Sequence, residues 1–159
     1  MSKALCLALL LACAGALHAM GRKPPEKKET PMENASQLIA TETPNEWRGA
    51  FCAESRPSTR VITTLQEWEK LWRLGMNHTP PDIDFTKHFA VAVFLGSQPT
   101  GGYSVDFLEP LADARDVLIR YTVLAPSSKS FVIQAFTQPY AIKLFNKTER
   151  KISLAEMKS

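Results

Sequence analysis

Cysteine is scarce: the chain of 159 residues holds three, and two of them, Cys6 and Cys13, stand in the leading apolar segment. Cys52 is the one that remains, and a single thiol closes no internal disulfide, so the fold must rest on its hydrophobic core. Glycine is also sparse, with seven in all. Histidine numbers three, and His18 falls in the leader. Neither a G-x-S-x-G nucleophile elbow nor an H-E-x-x-H zinc helix occurs. No lysine lies between Lys87 and Lys129, so the glycines at 96–102 lack the lysine of a phosphate-binding loop. A strand pattern follows them rather than a helix, which removes the other phosphate cradle. Basic and acidic residues are mixed along the chain. With no basic stripe, nucleic acid is not an expected partner.

Long apolar runs are missing as well. The uncharged stretch Ala4–Leu17 follows Lys3 and is too short to span a bilayer, which takes about 20 residues. Its length suits a signal-peptide core, and Ala14-Gly15-Ala16 or Leu17-His18-Ala19 offers a small-residue cleavage site. Residues 1–19 are therefore read as a signal peptide. Their removal takes away Lys3 alone, so the formal charge of +3 becomes +2. The chain is therefore expected to be exported, which in a bacterium means a periplasmic, envelope-associated or extracellular location. Leu10-Leu11-Ala12-Cys13 also resembles a lipobox, which would lipidate Cys13. The short core before Cys13 and the apolar residues after it favour plain secretion, and contact with a membrane enters only through a lipidated Cys13.

Residues 20–45 read as a linker. GRKPPEKKETPMEN, at 21–34, carries three prolines, four basic and three acidic residues, with almost nothing to bury. Asn34, Asn77 and Asn146 each open an N-x-S/T sequon, a glycan acceptor only in a eukaryotic secretory pathway.

The domain is expected over 46–147, with a polar tail at 148–159 prone to fray. WRGAFCAE reads as a short strand and TRVI as a second extended piece. Thr64-Leu65-Gln66-Glu67 has the form of a capping box. Leu65, Trp68, Leu71 and Trp72 then define one helical face, with Gly75 as C-cap. Pro80 and Pro81 bar a helix in HTPPDIDF, and Phe85 is expected to plug into the core. Phe89–Leu95 is apolar on both faces, the signature of a central strand. Alternation marks 103–108, 117–123 and 140–144, and 131–136 reads as a further extended run. Short connections favour antiparallel neighbours. The fold class is α+β: an antiparallel sheet of about five or six strands, half-barrel or sandwich-like, with one packed amphipathic helix.

Each candidate chemistry has a plainer explanation. Cys52 with His78 or His88 could form a nucleophile and base, yet a thiol inside GAFCA is an ordinary buried residue. His78, Asp82 and Asp84 could ligate a metal, but Asp beside Pro commonly caps turns and no fourth ligand follows. No catalytic, metal or cofactor residue is assigned. The stretch Gln98-Pro99-Thr100-Gly101-Gly102-Tyr103 remains. It suits a tight return with glycines free to take positive φ. It equally suits a binding loop presented by a rigid sheet.

EWEKLW (67–72), PPDIDF (80–85), FLGSQPTGGYSV (94–105), LAPSS (124–128) and QAFTQPYAIKL (134–144) together resemble the C-terminal domain of the PrcB family, accessory subunits of bacterial protease complexes. The resemblance spans roughly 46–147. It implies an exported, non-enzymatic protein that stabilises or assembles with a partner, a protease among the candidates, and it brings no catalytic residues. A second reading is a secreted protease inhibitor that presents Pro99–Tyr103. That loop is similar to the N-P-T-T-G-Y loop of chagasin-type cysteine-protease inhibitors, with Gln98 in place of Asn and Gly101 in place of the second Thr.

Overall fold

A computed structural model describes residues 33–34 and 45–158. The signal peptide, Cys13 and most of the linker lie outside the described residues. Among those described, nine strands form two sheets, more than the five or six expected from the alternation. Two of the additional strands are only two residues long, too short to leave a period-two signal.

The first sheet holds β2 (Glu46–Gly49), β3 (Ser58–Ile62), β4 (His88–Phe94) and β8 (Tyr140–Asn146) in the order β2-β8-β4-β3, all antiparallel. The second holds β1 (Glu33–Asn34), β5 (Ser104–Phe107), β6 (Leu111–Ala112), β7 (Asp116–Leu124) and β9 (Lys151–Glu156). β5 pairs with the C-terminal end of β7 and β6 with its N-terminal end, so both occupy one edge. β9 runs along the other edge, in parallel.

The alternation along β4 builds the molecule. Phe89, Val91, Val93 and Leu95 face the second sheet and join Val105, Val117, Ile119, Tyr121, Ala141 and Phe145 in an inter-sheet core. Ala90, Ala92 and Phe94 face the other way, onto the helix, with Ile62, Ile142 and Leu144. This explains why β4 reads as apolar on both sides: it is the middle layer of three. The arrangement decides between half-barrel and sandwich. Two sheets face each other, and a helix covers the outer face of one.

Helix α1 (Leu65–Lys70) begins at the expected Thr64–Glu67 pair, with the returning bond shifted to the Thr63 N–H, one residue before the N-cap. The Thr64 hydroxyl accepts from the Glu67 N–H at 3.2 Å, and the Glu67 carboxylate accepts from the Thr63 N–H at 3.3 Å. It does not end at Gly75 as expected. Leu71–Met76 continues as a π-helical turn, and the chain leaves through Asn77 at φ 55°. Asn tolerates the left-handed conformation, and the widened turn lets the Asn77 N–H reach the Trp72 carbonyl. Gly75 is buried inside that turn, and its carbonyl accepts from the Ala53 N–H at 2.8 Å. Leu65, placed on the apolar face by spacing, is 51% exposed.

Trp68 and Trp72 are buried as expected. With Trp47 they form an edge-to-face cluster, the three centroid separations lying between 5.3 and 5.9 Å. Phe85 does plug into this layer, 5.8 Å from Trp68. The rigid Pro80-Pro81 loop supplies the Trp68 indole N–H with an acceptor, the Pro81 carbonyl at 2.8 Å.

Three further expectations are corrected. The polar tail is not a tail: β9 pairs with β7 over six residues, and Ile152 and Leu154 pack on the inter-sheet core. The apolar–polar alternation of KISLAE was legible, but the surrounding charges masked it. Part of the linker is also structural, since Glu33 and Asn34 pair with Ala112 and Leu111. Finally, 131–136 is not a strand. The segment lies in an irregular connection from 125 to 139, and only Thr137 makes a bridge, to Gln98.

Candidate functional site

Two long connections leave the same end of the sandwich. One joins β4 to β5 (95–103) and the other joins β7 to β8 (125–139). They meet because β4 pairs with β8 and β5 pairs with β7, so the four strand ends are adjacent.

Backbone hydrogen bonds lock the connections together. The Gln98 N–H donates to the Thr137 carbonyl at 2.8 Å, and the Thr137 N–H donates back at 3.0 Å. The Thr137 hydroxyl donates to the Thr100 carbonyl at 2.8 Å, and the Gly101 N–H to the Ile133 carbonyl at 3.0 Å. Thr137 is fully buried, so its hydroxyl must have such a partner. The Gln98 amide donates to the Leu95 carbonyl at 2.9 Å, which closes the first connection on itself.

The glycines follow from close approach. A Cβ on Gly101 would lie 2.7 Å from Ile133 Cγ1. Gly102 sits at φ 85°, and a Cβ there would lie 2.7 Å from Val132 Cγ1 and 2.9 Å from Pro126 Cβ. Of the six sequence-nominated residues, Pro99 and Gly102 are exposed, Gln98, Thr100 and Tyr103 are half-buried, and Gly101 is buried. Tyr103 packs against the inter-sheet core. The nominated loop thus lies beneath and beside the second connection, shaping it.

That second connection carries the exposed apolar surface. Phe131 is 106% exposed, Phe136 73% and Ile133 55%. Phe51 is 60% exposed and is held nearby by the hydrogen bond from the Gln138 N–H to the Ala50 carbonyl, 2.8 Å. Charge is nearly absent: residues 89–105 have none, and 121–142 have Lys129 alone. Sequence reasoning missed these aromatics because their apolar run was read as a strand. The available signal was FVIQAF, lying between Pro126 and Pro139 with Gln134 as its one polar residue.

Other candidates disperse. Cys52 Sγ donates to the Gln138 carbonyl at 3.3 Å, and burial pushes its thiol pKa up, away from the thiolate a nucleophile needs. Asp84 caps the turn before β4, accepting from the Thr86 N–H at 2.9 Å; hydrogen bonds from Thr86 hold its carboxyl below the usual range. His78 is exposed, and His88 opens β4 with Nδ1 3.2 Å from the Asp84 carbonyl. No three His, Cys, Asp or Glu side chains gather as a metal group among the described residues. A cleft of about 390 Å³ opens between the β3 and β9 edges, lined by Ser58, Thr59, Val93, Leu95, Tyr121 and Glu156.

Fold and face together define an α+β sandwich domain that presents a nearly uncharged, apolar loop surface at one end. Residues 89–144 match the family model described as PrcB C-terminal, so about a third of the chain, at the centre of the sandwich, is similar to that domain. The match contains both connections of the face, and the family suggests an accessory role in a protease complex. No curated protein and no solved structure matches the chain.

Proposed function

We propose that the protein is an exported, non-enzymatic accessory subunit that assembles with a protease or another envelope partner through the face built by 98–103 and 125–139. One observation carries the reading. Phe131, Ile133 and Phe136 are exposed on connections tied together by hydrogen bonds, and the segments 95–103 and 125–139 that form them carry one charge between them, Lys129. Depletion of charge with enrichment of aromatics is the composition of interface centres. The raised Cys52 pKa and the exposed position of His78 support the non-enzymatic part. Export rests on the leader sequence. Crosslinking in native envelope, followed by purification, is expected to recover one dominant partner. Its loss on Gly101→Val together with Tyr103→Ala, in protein that still folds, is the supporting result. A chain that stays monomeric and recovers nothing sinks the proposal.

The inhibitor reading names Pro99–Tyr103, but Gly101 is buried and Tyr103 packs on the inter-sheet core, so the protruding aromatics that would suit a cleft, Phe131 and Phe136, belong to the second connection instead. It is tested by the hydrolysis of a small peptide substrate by papain-like and chymotrypsin-like proteases. Unchanged rates at micromolar protein exclude it.

A further inference from the structure

The two sides of the sandwich differ. On one, the Arg48 guanidinium reaches from β2 to the Asp106 carboxylate on β5 and ties the sheets together. On the other, β3 and β9 flank the cleft of about 390 Å³, and among the described residues each pairs with one strand only. β9 is thus an open edge, and the hydrogen bonds at its two ends fix which way its backbone faces. The Lys151 N–H donates to the Arg115 carbonyl at 2.9 Å, and the Met157 N–H to the Tyr121 carbonyl at 2.7 Å. A strand residue turns its N–H and C=O the same way, and successive residues turn them oppositely. Hence Lys151, Ser153, Ala155 and Met157 bond to β7, while Ile152, Leu154 and Glu156 direct theirs outward. Edges are commonly blunted by proline, a bulge or a charge along the strand. The middle of KISLAE has none of these, and the charges at its two ends are opposite in sign.

These features suit one occupant, β9 of a second copy. A two-fold axis relating two antiparallel strands stands perpendicular to their sheet, so both core faces lie on one side and residues of equal parity oppose each other. Centred on Ser153, the axis sets Ile152 against Leu154 and Arg150 against Glu156, twice each. Ile152 and Leu154 then exchange hydrogen bonds, since both turn their groups outward, and their side chains extend the apolar layer they already join. Neither Arg150 nor Glu156 makes an ion pair among the described residues. Neighbouring registers lose the match. Centred on Leu154, Ile152 meets Glu156 and Arg150 meets Lys158; centred on Ile152, Arg150 meets Leu154. We propose that the chain forms a two-fold dimer by antiparallel pairing of β9 about Ser153, with Arg150 of each copy against Glu156 of the other. The second sheet runs on through both copies. The loop faces at 98–103 and 125–139 point to opposite ends of the dimer, so self-association leaves both of them open and does not depend on the accessory reading.

Sedimentation velocity from about 5 to 500 micromolar, the range for a contact smaller than a standard interface, is expected to show a reversible monomer–dimer equilibrium. Arg150→Glu and Glu156→Arg should each weaken it at least about tenfold, because like charges then face each other, and the two together should restore it. An unchanged melting temperature, measured where wild type is monomeric, certifies the variants as folded. In a chain whose cysteines are replaced by alanine, Ser153→Cys should oxidise to a covalent dimer. Facing residues of a non-hydrogen-bonded antiparallel pair lie about 4.5 Å apart at Cα, within disulfide reach. Ala155→Cys should not crosslink, because it faces Lys151 of the other copy. Four results overturn the proposal: a monomer at every concentration, a dimer that the single charge reversals leave intact, a folded double reversal that stays monomeric, or crosslinking through Ala155→Cys in preference to Ser153→Cys. A dimer abolished by Phe131→Ala places the contact on the loop face and overturns it as well.

Discussion

Gly101 and Ile133 are joined twice. The Gly101 N–H donates to the Ile133 carbonyl at 3.0 Å, and the space a Cβ would need is filled by Ile133 Cγ1 at 2.7 Å. The glycine thus lets the two connections touch, and Ile133 is carried on the segment that exposes Phe131. Gly101→Val is expected to push the 131–136 segment outward and lower stability by about 1–3 kcal/mol, the usual cost of overpacking. Urea unfolding measures the loss, and hydrogen exchange at Gly101 and Thr137 should rise. An unchanged exchange pattern would contradict this bracing.

Gly102→Ala tests the backbone separately. At φ 85° an L-residue costs about 1–2 kcal/mol, and contact with Val132 and Pro126 adds to it. The expected result is a lower melting temperature with the helix signal intact. Pro99→Ala, at an exposed position, should be close to neutral.

Deleting 150–159 should unfold the domain or leave it molten, because β9 covers β7 and Ile152 and Leu154 leave the inter-sheet core. Deleting only 158–159 should change nothing measurable. Near-ultraviolet circular dichroism and urea titration distinguish the two outcomes. A fully stable 1–149 chain would mean that the C-terminal strand is dispensable.

Trp68→Phe isolates one polar contact. The ring is largely kept, while the Pro81 carbonyl loses the donor now at 2.8 Å. A loss of about 1–3 kcal/mol is expected for an orphaned acceptor, against roughly 3–5 kcal/mol for Trp68→Ala. Equal losses would show that packing alone matters there.

The Cys52 thiol has its pKa raised above the ordinary 9.0, first by burial. At neutral pH it should react with iodoacetamide more slowly than free cysteine, and denaturant should abolish the difference. Since the folded form holds its proton more tightly, the stability linked to this group is whole below the unfolded pKa. It falls as pH rises through the folded one. Cys52→Ala should keep partner binding.

The sequence by itself determined the local elements whose signals are strong and short-range. Thr64 and Glu67 fix the start of α1, Trp68 and Trp72 fix its buried face, and the unbroken apolarity of Phe89–Leu95 fixes a central strand. PTGGY and TQPY marked the segments where the two connections meet. Tertiary structure alone decided the rest, because each missing piece depends on what lies across from it. KISLAE becomes a strand only because β7 offers it an edge. FVIQAF fails to become one because the backbone of its neighbours is spent on Gly101 and Gln98. The helix passes Gly75 because Asn77 accepts the left-handed turn and Ala53 takes the Gly75 carbonyl. The candidate face belongs to the same class. Its exposed aromatics and its hidden glycines are far apart in the chain, and only the pairing of β4 with β8 and β5 with β7 brings them to one end.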